Sequence, residues 1–259
     1  MKFIIITPTY KRPDNLLAAV QSVMDQSYGD WRMIIVNDSP ADIPYGQAEE
    51  KIKNDKRIAY IKNIENRGAN FARNQALDIA ARDTTDDDWI VFLDDDDTLA
   101  KNALQTLVET HATYPKEKWI VTNRASYDGT SFTKAPQNDR HYSYAWGYLI
   151  TKQFKGDATH CIHLAEIKNI RFPKTVRQGE EWLFYYELSL SIKKFFYRNS
   201  NTTFSFGYAP EGLNFRKRSK KERFAALCSL IRESAERGML LHPTLWLYLT
   251  ARILLLPFQ

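Results

Sequence analysis

The chain has 259 residues, 44% of them hydrophobic, which is enough to bury a sizeable core in one or two domains. Two cysteines, Cys161 and Cys228, are too few for a disulfide framework and have no metal-site spacing, so a reducing, cytosolic setting is expected. The net charge of +5, from 36 Lys and Arg against 31 Asp and Glu, is crowded into "FRKRSKKERF" at 215–224 rather than interleaved with aromatics across the fold, which argues against nucleic acid as a partner.

In chain order, Phe3 to Thr7 predicts a first strand, its apolar run too short for the core of a signal peptide. A helix over 14–26 follows, with Pro13 at its entry and Leu16, Leu17, Val20 and Val23 on one face. Strands are predicted at 31–36, 57–62 and 89–93, with a second helix at 71–81. Repeated strand-helix units imply an α/β fold with a mainly parallel central sheet covered on both faces. Beyond about residue 115 the rhythm weakens. "WIVTNRASYDGTSFT" predicts two strands around the turn Asp128-Gly129, "GEEWLFYYELSLSI" a helix over 179–192, and "KFFYRNSNTTFSF" a strand. The expected division is a nucleotide-binding half (1–115), an acceptor half (116–214) and a basic and apolar helical tail (215–259).

The most informative stretch is "DDDWIVFLDDDDTLAKN" at 86–102. Four consecutive carboxylates, Asp94 to Asp97, disfavour one another's ionisation, and a bound cation would remove that penalty. The local alternative is that Asp97 caps a helix beginning near Thr98. Asp86 to Asp88 enter the strand rather than leave it and are expected to form a solvated loop, because ligands of parallel sheets gather beyond the carboxyl ends. Two other strand ends share that edge: Thr7-Pro8-Thr9-Tyr10 and Asn37-Asp38-Ser39. Ordinary turn chemistry explains each alone; their coincidence points to a site.

These segments, "IIITPTYKRPDNLLAAVQSVMDQSYGDWRMIIVNDSP", "NRGANFARNQAL" and "FLDDDDTL", resemble in that order the start of an inverting glycosyltransferase of family 2 with the GT-A fold. The resemblance is close over 3–110 and thins afterwards to "GEEW". It implies Pro8 and Tyr10 around the nucleotide base and Asp38 as its hydrogen-bond acceptor, with Asn37 departing from the usual paired Asp. Arg73 would lie near the donor. Asp94-Asp95-Asp96 falls on the DxD motif, with Asp96 as ligand of Mn²⁺ or Mg²⁺ and Asp95 near the ribose. The general base is expected in the pair Glu180-Glu181, with Glu181 preferred; the plain alternative is two acids in the first turn of a helix. The implied partners are a nucleotide-sugar donor, a UDP-sugar by expectation, and a glycan or glycolipid acceptor in bacterial surface polysaccharide or lipopolysaccharide synthesis.

Three other readings follow from the residues. "IVFLDDDDTL" also fits a haloacid-dehalogenase-like phosphatase with Asp94 as nucleophile and Asp96 and Thr98 in its motif, although that family usually begins with the motif, whereas several strands precede it here, and no later Gly-Asp-x-x-x-Asp supplies that family's second acidic pair. A catalytically inactive module of the same fold is the other alternative. Asp157, His160 and His163 are spaced too loosely for a metal triplet, and His160 is better placed as a wall residue contacting acceptor or phosphate. In the tail, Thr244, Tyr248 and Arg252 recur every four residues, with Trp246, Leu249, Ile253 and Leu256 elsewhere on the helix. This tail is expected either to dock peripherally on an anionic membrane surface, at the inner face of the cytoplasmic membrane, or to pack back on the domain.

Overall fold

The computed structural model describes residues 1–83, 85, 87–176, 180–205 and 219–255. The first half is the expected strand-helix alternation: β1 (Phe3–Thr9), α1 (Pro13–Met24), β2 (Trp31–Asn37), α2 (Gly46–Lys53), β3 (Ile58–Lys62), α3 (Ala69–Asp83) and β4 (Trp89–Phe92). Strand geometry turns successive side chains to opposite faces. In β1, Phe3 and Ile5 therefore enter one core with Leu16, Val20 and Val23 of α1, while Ile4 and Ile6 enter the other with Ala72, Ala76 and Ala80 of α3. Burial on both faces is why these strands read as unbroken apolar runs.

The second half comprises β5 (Asp97–Leu99), α4 (Ala103–Thr113), β6 (Trp119–Ser126), β7 (Arg140–Tyr142), a π-helical turn (Tyr144–Ile150), β8 (Ala158–His163), α5 (Trp182–Ser191) and β9 (Phe195–Ser205). The sheet runs β3-β2-β1-β4-β8-β6-β9-β5, with β7 also paired to β9. The pairs β3-β2, β2-β1, β1-β4 and β6-β9 are parallel, and antiparallel β8 joins β4 to β6. The sheet is thus parallel through the first half and mixed beyond it. The predicted hairpin after Asp128-Gly129 exists, but its second arm is reduced to one bridge between Ala125 and Ser131. Helix α2 is short and polar and buries only Ala48 and Ile52, too weak an apolar period to read from sequence.

The tail forms α6 (Lys220–Glu236), a 3₁₀ turn (Met239–Leu241) and α7 (Pro243–Leu255). Ser219 and Glu222 close a reciprocal capping box at the start of α6. Leu227, Leu230, Met239, Leu245 and Leu249 belong to the same core as β1 and α3, so the tail packs back on the domain. The boundary proposed at 214/215, the basic residues Arg216 to Arg218, and Leu256 to Phe258 lie outside the described residues. The four-residue period is real, but its polar side faces inward: Thr244 hydrogen-bonds the Tyr186 hydroxyl at 2.8 Å, Tyr248 packs edge-on to Trp182, and Arg252 pairs with Glu180. Trp246, Leu247, Ile253 and Leu254 face outward and are 44–66% exposed. Among the described residues no helix is long and apolar enough to cross a membrane.

Glycine is required at one tight approach. Gly156 has φ +80°, and a Cβ there would sit 1.8 Å from the Phe132 carbonyl oxygen, whereas Gly129 at φ +85° has nothing within 4 Å. We expect Gly156→Ala to cost about 3 kcal/mol, from strain plus overpacking, and Gly129→Ala about 1 kcal/mol from strain alone. Denaturant unfolding of the two variants checks the ranking; equal losses would contradict it.

Candidate active site

The four acids occupy the crossing from β4 to β5, and that crossing gathers the site. One carboxyl oxygen from each of Asp94, Asp96 and Asp97 lies within 4.8 Å of the others. Asp97 does not cap a helix: it sits in β5 opposite Ser205 of β9, and the next helix, α4, starts only at Ala103 after Asn102. Pairing with a distant strand overrides the local capping preference. Asp95 turns instead toward the end of β1, where it accepts from Thr9 Oγ1 at 2.8 Å and the Tyr10 amide at 3.4 Å.

Three arginines from three elements neutralise this cluster. Arg12, just before α1, donates to Asp95 at 3.1 Å and Asp96 at 2.9 Å; Arg124 of β6 donates to Asp97 at 2.8 Å. Arg73 of α3, 7% exposed, donates to Asp94 at 2.6 Å and to Glu181 at 3.2 Å. Compensation is incomplete. Burial, with Asp94 and Asp96 nearby, pushes the Asp97 carboxyl up to about 8 against the pull of Arg124. Burial likewise raises Asp95 to about 6 despite Arg12 and Thr9. For Asp94 burial acts upward too, but Arg73, Arg124 and Arg12 outweigh it and hold the group below the ordinary carboxylate range. The converging set of hard oxygens, short of positive charge, fits Mg²⁺ or Mn²⁺, which take oxygen ligands and strongly favour the ionised form.

The other strand ends flank this cluster. Pro8 is buried at the end of β1, and Tyr10 is 41% exposed with Lys11 Nζ 5.3 Å from its ring. Asp38 is buried and anchors the loop leading into α3: it accepts from Asn63 Nδ2 at 2.9 Å, the Arg67 amide at 2.8 Å and the Gly68 amide at 2.5 Å. The unusual Asn37 donates to the Tyr60 hydroxyl at 2.6 Å and accepts from the Ser39 amide at 2.9 Å.

The two glutamates before α5 have different environments. Glu181 is 38% exposed on its side chain and contacts Arg73. Glu180 is 9% exposed on its side chain and held by Arg252 at 2.5 and 3.0 Å and by Trp182 Nε1 at 2.5 Å. Glu181 is thus the more open carboxylate and shares Arg73 with Asp94, whereas Glu180 is locked in an ion pair with Arg252.

Elsewhere the structure corrects local expectations. The Asp86–Asp88 run is not wholly a solvated loop: Asp87 is 98% exposed on its side chain, but Asp88 is buried and accepts from the amide and hydroxyl of Thr85, while Asp86 lies outside the described residues. His160 is half-buried, accepts from Trp119 Nε1 at 3.0 Å and stacks on Tyr185 at 4.0 Å, and desolvation lowers its pKa to about 3. Asp157, His160 and His163 form no metal-sized group; among the described residues the acid triad alone does. The phosphatase arrangement is also absent, since Asp94 is clamped by Arg73 and Thr98 is turned to the Tyr127 hydroxyl at 2.6 Å.

Thr9, Arg12 and Arg124 carry the acid cluster and were not foreseen. Arg12 had one readable signal, a cation directly after a strand end that shares an edge with four acids. Arg124 had none, because its partnership depends on β6 lying beside the far end of β9.

Comparison with known proteins identifies the family and the fold. The chain is 38% identical over 105 residues to the putative teichuronic acid biosynthesis glycosyltransferase TuaG of Bacillus subtilis, covering 40% of each protein. It is 36% identical over 104 residues to the putative colanic acid biosynthesis glycosyl transferase WcaA of Escherichia coli, covering 40% of this chain and 36% of that one. A GalNAc(5)-diNAcBac-PP-undecaprenol beta-1,3-glucosyltransferase of Campylobacter jejuni is 33% identical over 109 residues, 42% of this chain and 34% of that one. The aligned stretches thus span only 34–40% of these relatives' length. The crystal structure of S. aureus TarS 1-349 in complex with UDP-GlcNAc superposes with a TM-score of 0.69 at 18% identity, covering 89% of this chain and 66% of that one, which establishes the GT-A fold. A sequence model described as Glycosyl transferase family 2 matches residues 4–166, and the chain belongs to that family.

Proposed function

We propose that the protein is a metal-dependent inverting glycosyltransferase that moves a sugar from a UDP-sugar to a glycan or glycolipid acceptor in bacterial surface polysaccharide synthesis. The observation that carries this reading is that one buried guanidinium, Arg73, contacts both the acid cluster through Asp94 and the open carboxylate Glu181. Two sites that the chemistry needs side by side, one for the leaving diphosphate and one for a base, thus share a rigid element. The names of the relatives place similar chains in surface glycan synthesis, and the TarS complex contains UDP-GlcNAc.

In this mechanism Pro8 and Tyr10 border the nucleobase, Asp38 fixes the loop that faces it, and Asp95, held by Thr9, lies toward the ribose. Asp96 with Asp94 and Asp97 would hold Mg²⁺ or Mn²⁺, which supplies positive charge to a leaving diphosphate. Arg73 orients Asp94 and holds Glu181 in place. Glu181 accepts the proton of the acceptor hydroxyl as its oxygen attacks the anomeric carbon from the face opposite the diphosphate, so configuration inverts.

The outer face of α7 supports a peripheral setting. Its outward stripe of Trp246, Leu247, Ile253 and Leu254 lies on one helix face, and the exposed residues Lys220, Lys221 and Phe224, with the half-buried Arg223, open α6. An anionic bilayer surface matches both the apolar stripe and the positive charge, and it presents the acceptor if that acceptor is a glycolipid.

Three outcomes test the reading. Asp96→Asn should abolish transfer and the metal dependence of donor binding, while Asp87→Asn, at the opposite end of β4, should leave both near wild type; equal losses in folded protein would refute the placement. Glu181→Gln should lower kcat by roughly a hundredfold or more with donor KM little changed. In flotation, the intact chain should bind anionic liposomes at low salt and release them at high salt, and Trp246→Glu with Ile253→Glu should prevent binding; a chain that never floats would rule out membrane docking.

A further inference from the structure

The turn that presents Glu181 is unusual. Glu180 has φ +62°, in the left-handed region that side-chain-bearing residues avoid. Such a conformation is strained and persists only where the surroundings over-determine it. Here the surroundings are identifiable. Arg252 of α7 holds both Glu180 carboxylate oxygens, Trp182 Nε1 donates to one of them, and the Arg252 guanidinium lies 5.7 Å from the Trp182 ring and 5.9 Å from the Tyr248 ring. Tyr248 in turn packs edge-on to Trp182 with centroids 4.7 Å apart.

The fork therefore spans 72 residues of sequence to fix one peptide away from the base. The left-handed Glu180 sends its own carboxylate to α7, while the next residue, Glu181, is directed to Arg73. Release of Glu180 would remove what compensates its backbone, and the turn would relax toward a conformation in which Glu181 no longer meets Arg73. The first amides of α5 report on this directly, since Leu183 bonds the Glu180 carbonyl at 3.1 Å and Phe184 the Glu181 carbonyl at 3.1 Å.

We propose that Arg252, through its two-pronged ion pair with Glu180, is a positioning residue that makes the C-terminal helix a working part of the active site. This rests on the reading of Glu181 as the base, and the test separates the two. In the full-length chain, hydrogen exchange of the Leu183 and Phe184 amides should be about tenfold faster in Arg252→Gln and in Glu180→Gln, the loss of about 1.4 kcal/mol of local stability, with β1 amides unchanged. Arg252→Lys should restore protection in part, as one ammonium replaces one prong of the fork. The double variant should exchange no faster than either single, because the two residues act as one unit. Arg232→Gln, an exposed arginine on α6, should change nothing. On a nucleotide sugar that the wild-type chain turns over, Arg252→Gln should lower kcat about tenfold and leave donor KM unchanged, as expected when an interaction serves the chemical step rather than donor binding. Unchanged exchange at Leu183 and Phe184 in Arg252→Gln, additive effects in the double variant, or uniform loosening of the whole chain would overturn the proposal. If Glu181→Gln retains activity while the exchange results hold, the base assignment is wrong and the brace stands.

Discussion

Everything in the site depends on holding Asp94 to Asp97 and Glu181 close together in a partly dry edge of the sheet. Carboxylates this crowded repel, and burial raises the cost of ionising each one. The protein answers with three guanidiniums drawn from separate elements: Arg12 before α1, Arg73 in α3 and Arg124 in β6. Each is a long-range contact, so the cluster exists only when the sheet and both flanking helix layers are assembled. Arg73 is the central one, because its single planar head contacts Asp94 and Glu181 at once. A lysine, with one ammonium, has no fork with which to meet two carboxylates in fixed directions.

This arrangement explains which parts of the chain announce themselves. Strands β1, β2 and β4 are apolar on both faces and were readable as such, and the acid run behind β4 stood out because no core or turn needs four carboxylates. Local rules then misled at its end. Asp97 has good capping chemistry, yet β5 pairs with β9, and tertiary pairing decides the outcome. The counter-ions were illegible for a related reason. Arg124 meets Asp97 across 27 residues and Arg252 meets Glu180 across 72, and no periodicity encodes such partnerships.

The C-terminal helix shows the same principle in a sharper form. Its four-residue polar period was correct, but periodicity states only that two faces differ. It does not say which one faces the core. Thr244, Tyr248 and Arg252 point inward because each finds a partner there, in Tyr186, Trp182 and Glu180, while Trp246, Ile253 and Leu254 remain outside. One helix thus carries an apolar surface on one side and a brace for the glutamate turn on the other.

On the proposed mechanism the acid cluster and Glu181 together transfer a sugar from a nucleotide donor with the help of a divalent cation. Release of nucleoside diphosphate from a panel of nucleotide sugars, with Mn²⁺ and with the metal chelated, tests it most directly. Release from a UDP-sugar should require Mn²⁺ and rise when an acceptor glycan is supplied. An inactive module of the same fold would release nothing from any donor, and that result, or release that persists undiminished after chelation, would contradict the account.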